Sequence, residues 1–483
     1  MKKRITFSII FVIILALVMP VALVIAGFAL PPQFDETYYG QLKHMYSRLK
    51  NAEGKKIVLT GNSAVAFGIR SDLLEEEFPG YSVVNFGLYG AIGTKTMLDL
   101  SKSNIGKGDI IVIMPELIPQ SLSLYFSAKE TWRAVDGDFS MLKHIAKENR
   151  GEMTGCFAEY ASTKFGYARS GKKAPASGVY SQSAFNDEQG NEAGYMTYNR
   201  PYNIMTGGYD SAVKANLNTS IIGNGFIEYL NGYNAFAKKR GASVYFGFVP
   251  VNELMTEEKD RQQGGKELYS YLREKLDFDV IGHPTDYFMD YKWFYDNNVH
   301  MNSAGMYKFT NMLADDLKLA LDIKTPNKIV VPEPEIIPPD FVAGDNRDAA
   351  LFDYERVASI TGEYILLTGL LQEGRARTEI ILPSDYGGVP VREFAQSVFA
   401  GNTVISEITL PMTIGRIHDN SFYGCTKLRT IRFEHDFILG IDAGQDFLAG
   451  TDEKKCFVYL KEGVSTTDCG GGWGKYGLRI RYY

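Results

Sequence analysis

Short apolar runs alternate with amphipathic stretches through the middle of this chain. Each run ends at a glycine or a polar turn residue, as buried strands do. Between them, residues such as Phe226, Leu230 and Tyr233 recur at helical spacing. Strand, helix and strand in alternation predict an α/β fold, a parallel sheet with helices on both faces. The strands are predicted at 56–60, 81–86, 109–114 and 243–249.

The amino-terminal pattern differs from the rest. Lys2, Lys3 and Arg4 precede an uncharged apolar run over 5–30, long enough to cross a hydrocarbon core of roughly 30 Å. We expect residues 1–30 to form a single-pass transmembrane signal anchor, which would place the remaining chain outside the cytoplasm. Small residues at 27–29 leave a cleaved signal peptide, and hence a secreted protein, as the alternative.

Changes in composition divide the remaining chain. The α/β pattern covers 31–324, and within it the stretch 121–224 is rich in tyrosine, glycine and polar residues. That stretch predicts an insertion, either over a substrate groove or purely structural. Five prolines and several acidic residues between 325 and 348 indicate an extended linker. A third unit follows over 349–483.

The third unit repeats itself at 23-residue spacing. The segments 391–410 and 414–433 share their apolar positions, with Phe399-Ala400-Gly401 matching Phe422-Tyr423-Gly424. These segments resemble the BspA-type leucine-rich repeat, which has an aromatic-plus-glycine turn before each strand. The resemblance implies a surface for a protein or glycan ligand, and a short structural cap is the alternative.

Charge and cysteine content narrow the function classes. The formal net charge is −6, and beyond the amino terminus no long basic run exists, so we expect no nucleic-acid partner. The four cysteines form no CxxC pair, and no HxxxH pattern occurs, so neither a metal nor a cofactor is expected. A bridge between Cys456 and Cys469 is conceivable, with buried or idle thiols as the alternative.

Two short stretches carry candidate chemistry. Gly61-Asn62-Ser63 follows the first strand directly and precedes a helix, so Ser63 lies at the carboxyl edge of the sheet, where open α/β folds bind ligands. His300 lies just before an amphipathic helix, with Asp296 four residues upstream. An imidazole oriented by Asp296 would take the Ser63 proton as general base and return it to the leaving group.

These stretches resemble the SGNH (GDSL-type) hydrolase family, which implies a flavodoxin-like parallel sheet flanked by helices. Gly61-Asn62-Ser63 looks like its opening block, Asn85-Phe86-Gly87 its second, and 296–300 its closing block. The resemblance implies that Ser63 is the nucleophile, His300 the base and Asp296 the orienting acid, with the N–H groups of Ser63 and Gly87 in the oxyanion hole. With a predicted membrane anchor, Gly-x-Ser near its start and a large insertion, the chain is similar to the DltD proteins of teichoic-acid D-alanylation and to the alginate O-acetyltransferases.

The chain departs from the family pattern at two points. Asn297 stands where the family places its aspartate, so either Asn297 or Asp296 would orient the imidazole. No Gly-x-Asn-Asp block is present, and the strand ending at Met114 continues into Pro115 and Glu116 instead. A carboxylate therefore stands near the expected position of an amide donor, where it is either structural or binds substrate.

Two functions follow from this reading. The first is an extracytoplasmic serine esterase or O-acyltransferase acting on a cell-envelope glycan or teichoic acid. The second is a non-catalytic surface adhesion or scaffold protein with a degenerate SGNH fold and a binding repeat module. Hydrogen-bond reach between Ser63 and His300 would favour the enzyme.

Overall fold

The computed structural model describes most of the chain, with gaps. It covers residues 19–174, 176, 182, 215, 217–256, 258–295, 298–334, 344–359, 362–396, 398–434, 442–443, 446–452, 455–462 and 479–483. Their buried apolar side chains form two clusters, one from Ala26 to Leu317 and one from Leu351 to Leu460.

The first cluster surrounds a five-stranded parallel sheet. Its strands are β1 (Lys55–Gly61), β2 (Tyr81–Gly87), β3 (Ile110–Met114), β4 (Ser243–Phe246) and β6 (Asp279–Val280), in the order β2-β1-β3-β4-β6. Numbered along the chain this order is 2-1-3-4-5, that of doubly wound flavodoxin-type sheets. All five residues of β3 are buried, as expected for a central parallel strand. Two short strands, β5 (Val251–Asn252) and β7 (Phe288–Met289), pair beside this sheet.

Helices flank the sheet, which confirms the predicted α/β class with a parallel sheet. In chain order they are α1 (Gln41–Asn51), α2 (Ser63–Ala66), α3 (Ser71–Glu77), α4 (Thr94–Ser101), α5 (Ala128–Ala134), α6 (Arg150–Ser170), α7 (Phe226–Lys238), α8 (Glu258–Lys275) and α9 (Ser303–Ala320). The last of these is capped by Asn302, whose side chain accepts a hydrogen bond from Gly305 N.

The expectation of a transmembrane anchor is wrong. In the part of the chain that the structure describes, which starts at residue 19, no helix has the length and apolar character needed to cross a membrane. Residues 19–28 are helical, but their end packs on the protein itself. The Phe28 ring stacks on Phe157 at 5.2 Å between centroids and meets Phe139 edge-on at 4.9 Å. The end of the apolar run that was expected to face lipid therefore packs against the folded protein.

A buried polar cluster fastens this amino-terminal segment. The Asp136 carboxylate accepts hydrogen bonds from Gln33 N at 2.6 Å, Phe34 N at 3.3 Å and the Tyr160 hydroxyl at 2.5 Å. It also pairs with Lys164 Nζ at 2.7 Å, and Lys164 donates to Gly27 O at 3.0 Å. Both charged side chains are almost completely buried, so each depends on the other for charge compensation.

The predicted insertion contains regular structure in its first part. Both α5 and the 21-residue α6 lie within 121–224, where the sequence pattern gave no helix. Glycines at 151, 155 and 166 and the absence of an apolar stripe hide α6 from periodicity arguments. Most of residues 175–216, the part of the insertion that was expected either to cover a groove or to be purely structural, lies outside the described residues.

The second cluster belongs to a stacked repeat structure. It starts with a hairpin of β8 (Phe352–Ser359) and β9 (Gly362–Leu370), followed by the short helix α10 (Gln372–Arg375). One parallel stack contains β10 (Glu379–Ile381), β13 (Glu407–Leu410), β15 (Thr430–Phe433), β17 (Phe457–Leu460) and β18 (Arg479–Tyr482). The second stack runs through β9, β12 (Val389–Phe394), β14 (Arg416–Ile417) and β16 (Asp442–Ala443), and β11 (Asp385–Tyr386) pairs with β12.

The repeated aromatic-plus-glycine turns align between successive copies. Gly401 and Gly424 have φ of +72° and +69°, where a side chain would be strained. Gly401 N donates to Tyr423 O at 2.7 Å, which ties one copy to the next. The rings of Phe399 and Phe422 stack at 5.4 Å inside the turn, and both are fully buried.

The described cysteines are free thiols. Cys156, Cys425 and Cys456 carry no disulfide in the described structure, and Cys469 lies outside it. Burial raises the pKa of Cys425 to about 11 and that of Cys456 to about 12, so both remain thiols at neutral pH.

Candidate active site

The register of three strands brings the candidate residues together. Gly61 at the end of β1 lies opposite Gly87 of β2 and Met114 of β3. A Cβ on Gly61 would lie 2.4 Å from Met114 O, so only glycine permits this close approach. Ser63 and Glu116 each follow their strand end by two residues, which places both at the same edge of the sheet.

The Ser63 hydroxyl is directly hydrogen-bonded to a carboxylate. Ser63 Oγ donates to Glu116 Oε1 at 2.9 Å, and Ala64 N donates to the same oxygen at 3.1 Å. Ser63 is half-buried, and Glu116 is 7% exposed. Sequence reasoning had placed Glu116 near the site without giving it a contact.

Asn85 and Gly87 brace the serine turn. Asn85 Nδ2 donates to Val65 O at 2.9 Å, and Gly87 N donates to Asn85 Oδ1 at 3.1 Å. A Cβ on Gly87 would lie 2.6 Å from that of Val65 and 2.8 Å from Ala66 N, so strand β2 packs tightly on α2. The Gly87 N–H, expected in the oxyanion hole, is thus engaged within its own strand end.

His300 lies in a buried loop before α9. Its carbonyl accepts from Tyr295 N at 2.8 Å, and the neighbouring Asn298 O accepts from Asn252 N of β5 at 2.9 Å. The imidazole is 3% exposed and meets the Phe67 ring edge-on, with 4.8 Å between centroids. Asp296 and Asn297, the two candidates for orienting the imidazole, lie outside the described residues.

Phe67 connects His300 to the serine turn. Phe67 N donates to Ser63 O at 2.9 Å. Phe67, whose ring contacts the His300 imidazole, therefore lies one helical turn after the candidate nucleophile. Phe67 also contacts a second aromatic ring. Tyr38 stacks on Phe67 at 5.6 Å between centroids and meets Tyr89 edge-on at 5.4 Å. Tyr38 belongs to a stretch that carried no sequence signal for a site.

This arrangement has a clear chemical consequence. A hydroxyl has one proton, and in this structure the Ser63 proton points at Glu116. For His300 to act as the base, the Ser63 hydroxyl must release Glu116 and donate its hydrogen bond to the imidazole instead. Within the described ranges, no group of three His, Cys, Asp or Glu side chains converges on a site suited to a metal ion.

Comparisons with known proteins give a limited picture. No protein-family profile matches the chain, and no curated protein matches it. Among solved structures, a leucine-rich-repeat protein of T. pallidum is 31% identical over 17% of this chain and 41% of its own, with a TM-score of 0.15. A leucine-rich cell surface protein of Faecalibacterium prausnitzii is 17% identical over 30% and 43%, with a TM-score of 0.19.

A protein of Bacillus subtilis is similar to a longer part of the chain. It is 10% identical over 56% of this chain and 57% of its own length, with a TM-score of 0.26. The chain therefore spans about half the length of the solved structures it matches. With TM-scores this low, the repeat interpretation stands on the 23-residue periodicity and the stacked parallel strands.

Proposed function

We propose that the α/β unit is a serine-dependent esterase or O-acyltransferase of the SGNH type. The observation that carries the proposal is the position of the half-buried Ser63, two residues after β1 on a tight turn at the carboxyl edge of a parallel sheet. Supporting it is the buried His300 ring, which packs on the same turn through Phe67.

The proposed reaction proceeds through an acyl-enzyme. Ser63 Oγ attacks the carbonyl carbon of an ester while His300 takes the hydroxyl proton. Collapse of the tetrahedral intermediate breaks the bond to the leaving alcohol, which receives the proton from His300. Water or an acceptor hydroxyl then attacks the acyl-serine, with the same imidazole as base, and restores free Ser63.

The substrate class comes from the family resemblance. It implies an acyl ester on a polyhydroxylated polymer, a glycan or a teichoic acid, and the repeat unit is proposed as the part that holds a protein or glycan ligand. Hydrolysis and transfer share the acyl-enzyme, so one test addresses both.

The test is labelling of the full chain with a fluorophosphonate, followed by mapping of the modified peptide. We expect modification of Ser63 in the wild type, none in Ser63→Ala, and a loss of at least about a hundredfold in rate in His300→Ala. His283→Ala serves as a matched control, because His283 is also a loop histidine packed on an aromatic ring, Tyr269, at 4.7 Å. Its labelling rate should equal that of the wild type.

The contrary result is equally informative. If folded wild-type protein is not labelled at Ser63, even at reagent concentrations that modify known serine esterases, the chain lacks an activated nucleophile. The scaffold function would then replace the enzymatic one.

A further inference from the structure

Glu116 makes a contact that the proposed reaction does not use. One of its oxygens, Oε1, accepts from both the Ser63 hydroxyl and the Ala64 N–H, at 2.9 and 3.1 Å. A carboxylate oxygen therefore lies beside the candidate nucleophile, in contact with a backbone donor of the same turn.

An acyl oxyanion requires this same position. The negative oxygen of a tetrahedral intermediate is stabilised by donors about 2.7–3.1 Å away. In the strand-to-helix nucleophile turn of α/β-hydrolases, the N–H of the residue after the nucleophile is one such donor. In this chain that residue is Ala64, and its N–H points at Glu116. The Gly87 N–H is bonded to Asn85 instead.

We propose that the Ala64 N–H is an oxyanion donor of this site and that Glu116 occupies the oxyanion position until an acyl group displaces it. The inference rests on the proposed function and deepens it. The second carboxylate oxygen lies on the side of Gly90, where a Cβ would be 3.8 Å from both Glu116 Oε2 and Asn62 Nδ2. Glu116 thus holds the resting site closed to substrate oxygen and keeps the Ser63 proton away from the base.

Repulsion between the Glu116 carboxylate and the oxyanion predicts how substitutions of Glu116 change the acylation rate. Like charges within about 4 Å repel strongly even at an effective dielectric constant of about 20. A retained Glu116 carboxylate would therefore raise the barrier to forming an oxyanion. Removing the carboxylate should speed acylation, whereas removing a general base would slow it.

The experiment compares fluorophosphonate labelling rates of full-length wild type, Glu116→Gln and Glu116→Ala. We expect Glu116→Ala to react about ten- to a hundredfold faster than the wild type. Glu116→Gln should fall between them, because its amide oxygen still accepts from Ser63 and Ala64 but carries no charge. Glu77→Gln is the matched control: Glu77 is also 7% exposed, and it binds Lys318 and Lys328 N away from the serine turn. Its labelling rate should stay at the wild-type value in folded protein.

A second measurement tests occupancy of the position itself. Millimolar acetate should slow the labelling of Glu116→Ala, because the free carboxylate can take the vacated place between Ser63 and Ala64. It should leave the wild type unaffected.

Slower labelling of both variants, with wild-type Ser63 still modified, would overturn this proposal and identify Glu116 as the acceptor of the serine proton. The proposed function would survive that result. Equal rates in all three proteins, with no effect of acetate, would also overturn it. Absence of labelling in every variant would remove the proposed function and this inference together.

Discussion

The buried pair of Asp136 and Lys164 allows a quantitative test of what fixes the amino-terminal segment. Asp136→Asn keeps the size of the side chain but removes the charge that compensates Lys164. Removing one partner of a buried ion pair typically costs about 3–5 kcal/mol. The Asn amide would also place a donor group towards at least one existing donor, either a backbone N–H or the Tyr160 hydroxyl. Burial raises the pKa of Tyr160 well above its ordinary value, so this hydroxyl stays protonated.

Thermal unfolding followed by tryptophan fluorescence measures the effect. Two of the three tryptophans, Trp132 and Trp293, belong to the α/β core, and Trp132 stacks on Tyr160 at 5.1 Å. A loss of about 4 kcal/mol in a unit of this size lowers Tm by about 10 °C. In the double variant Asp136→Asn, Lys164→Met, the uncompensated charge is gone, so at least half of the lost stability should return.

The reasoning would be refuted by a loss below about 1 kcal/mol in Asp136→Asn. It would also be refuted if the double variant were no more stable than the single one. Either result would mean that water reaches Lys164 readily and that the pair does not hold residues 27–34 in place.

Two further predictions concern pH and the repeat unit. Burial raises the pKa of Asp316 to about 6, against the opposing hydrogen bond from Tyr287. The native carboxyl thus keeps its proton up to about pH 6 while the unfolded chain releases it near 4, so stability should fall by up to about 3 kcal/mol as pH rises through that interval. Denaturant titrations of Asp316→Asn should lack this fall, and an unchanged profile would contradict the assignment. Phe422→Ala should cost about 3–5 kcal/mol and expose the repeat unit to proteolysis. Tyr423→Ala, at a neighbouring ring that is 54% exposed, should change proteolysis little, and equal effects of the two would refute the packing argument.

The sequence pattern located the central strands well because burial on both faces leaves continuous apolar runs. The runs at 56–60 and 109–114 correspond to β1 and β3 within one residue at each end. The repeats were visible for a similar reason, since stacked copies place equivalent apolar residues at a fixed spacing. Helix α6 was not visible, because its buried face includes Lys164 while Phe165 is exposed, so apolar and polar residues do not separate onto two faces.

Side-chain partners at the site were harder to predict. Ser63 could be placed at the sheet edge from its position after β1 alone, but its hydrogen bond to Glu116 depends on the register between β1 and β3. The hydrogen bond from Gly87 N to Asn85 Oδ1 spans only two residues, yet no sequence pattern indicates it. The apolar segment before residue 30 was wrongly predicted to be a transmembrane anchor. Hydropathy does not show whether an apolar side chain contacts lipid or, like Phe28, the protein's own aromatic side chains.

The attachment of residues 27–34 determines where the chain can be shortened for laboratory use. A truncated protein starting at residue 31 would lose the Gly27 carbonyl that accepts from Lys164, and with it the Phe28 ring that covers Phe139 and Phe157. Tolerance to trimming follows burial and backbone bonding, not the predicted end of a hydrophobic run. A truncated protein that retains Leu23 onward would preserve these contacts and should express better than one that begins at the apparent end of the apolar segment.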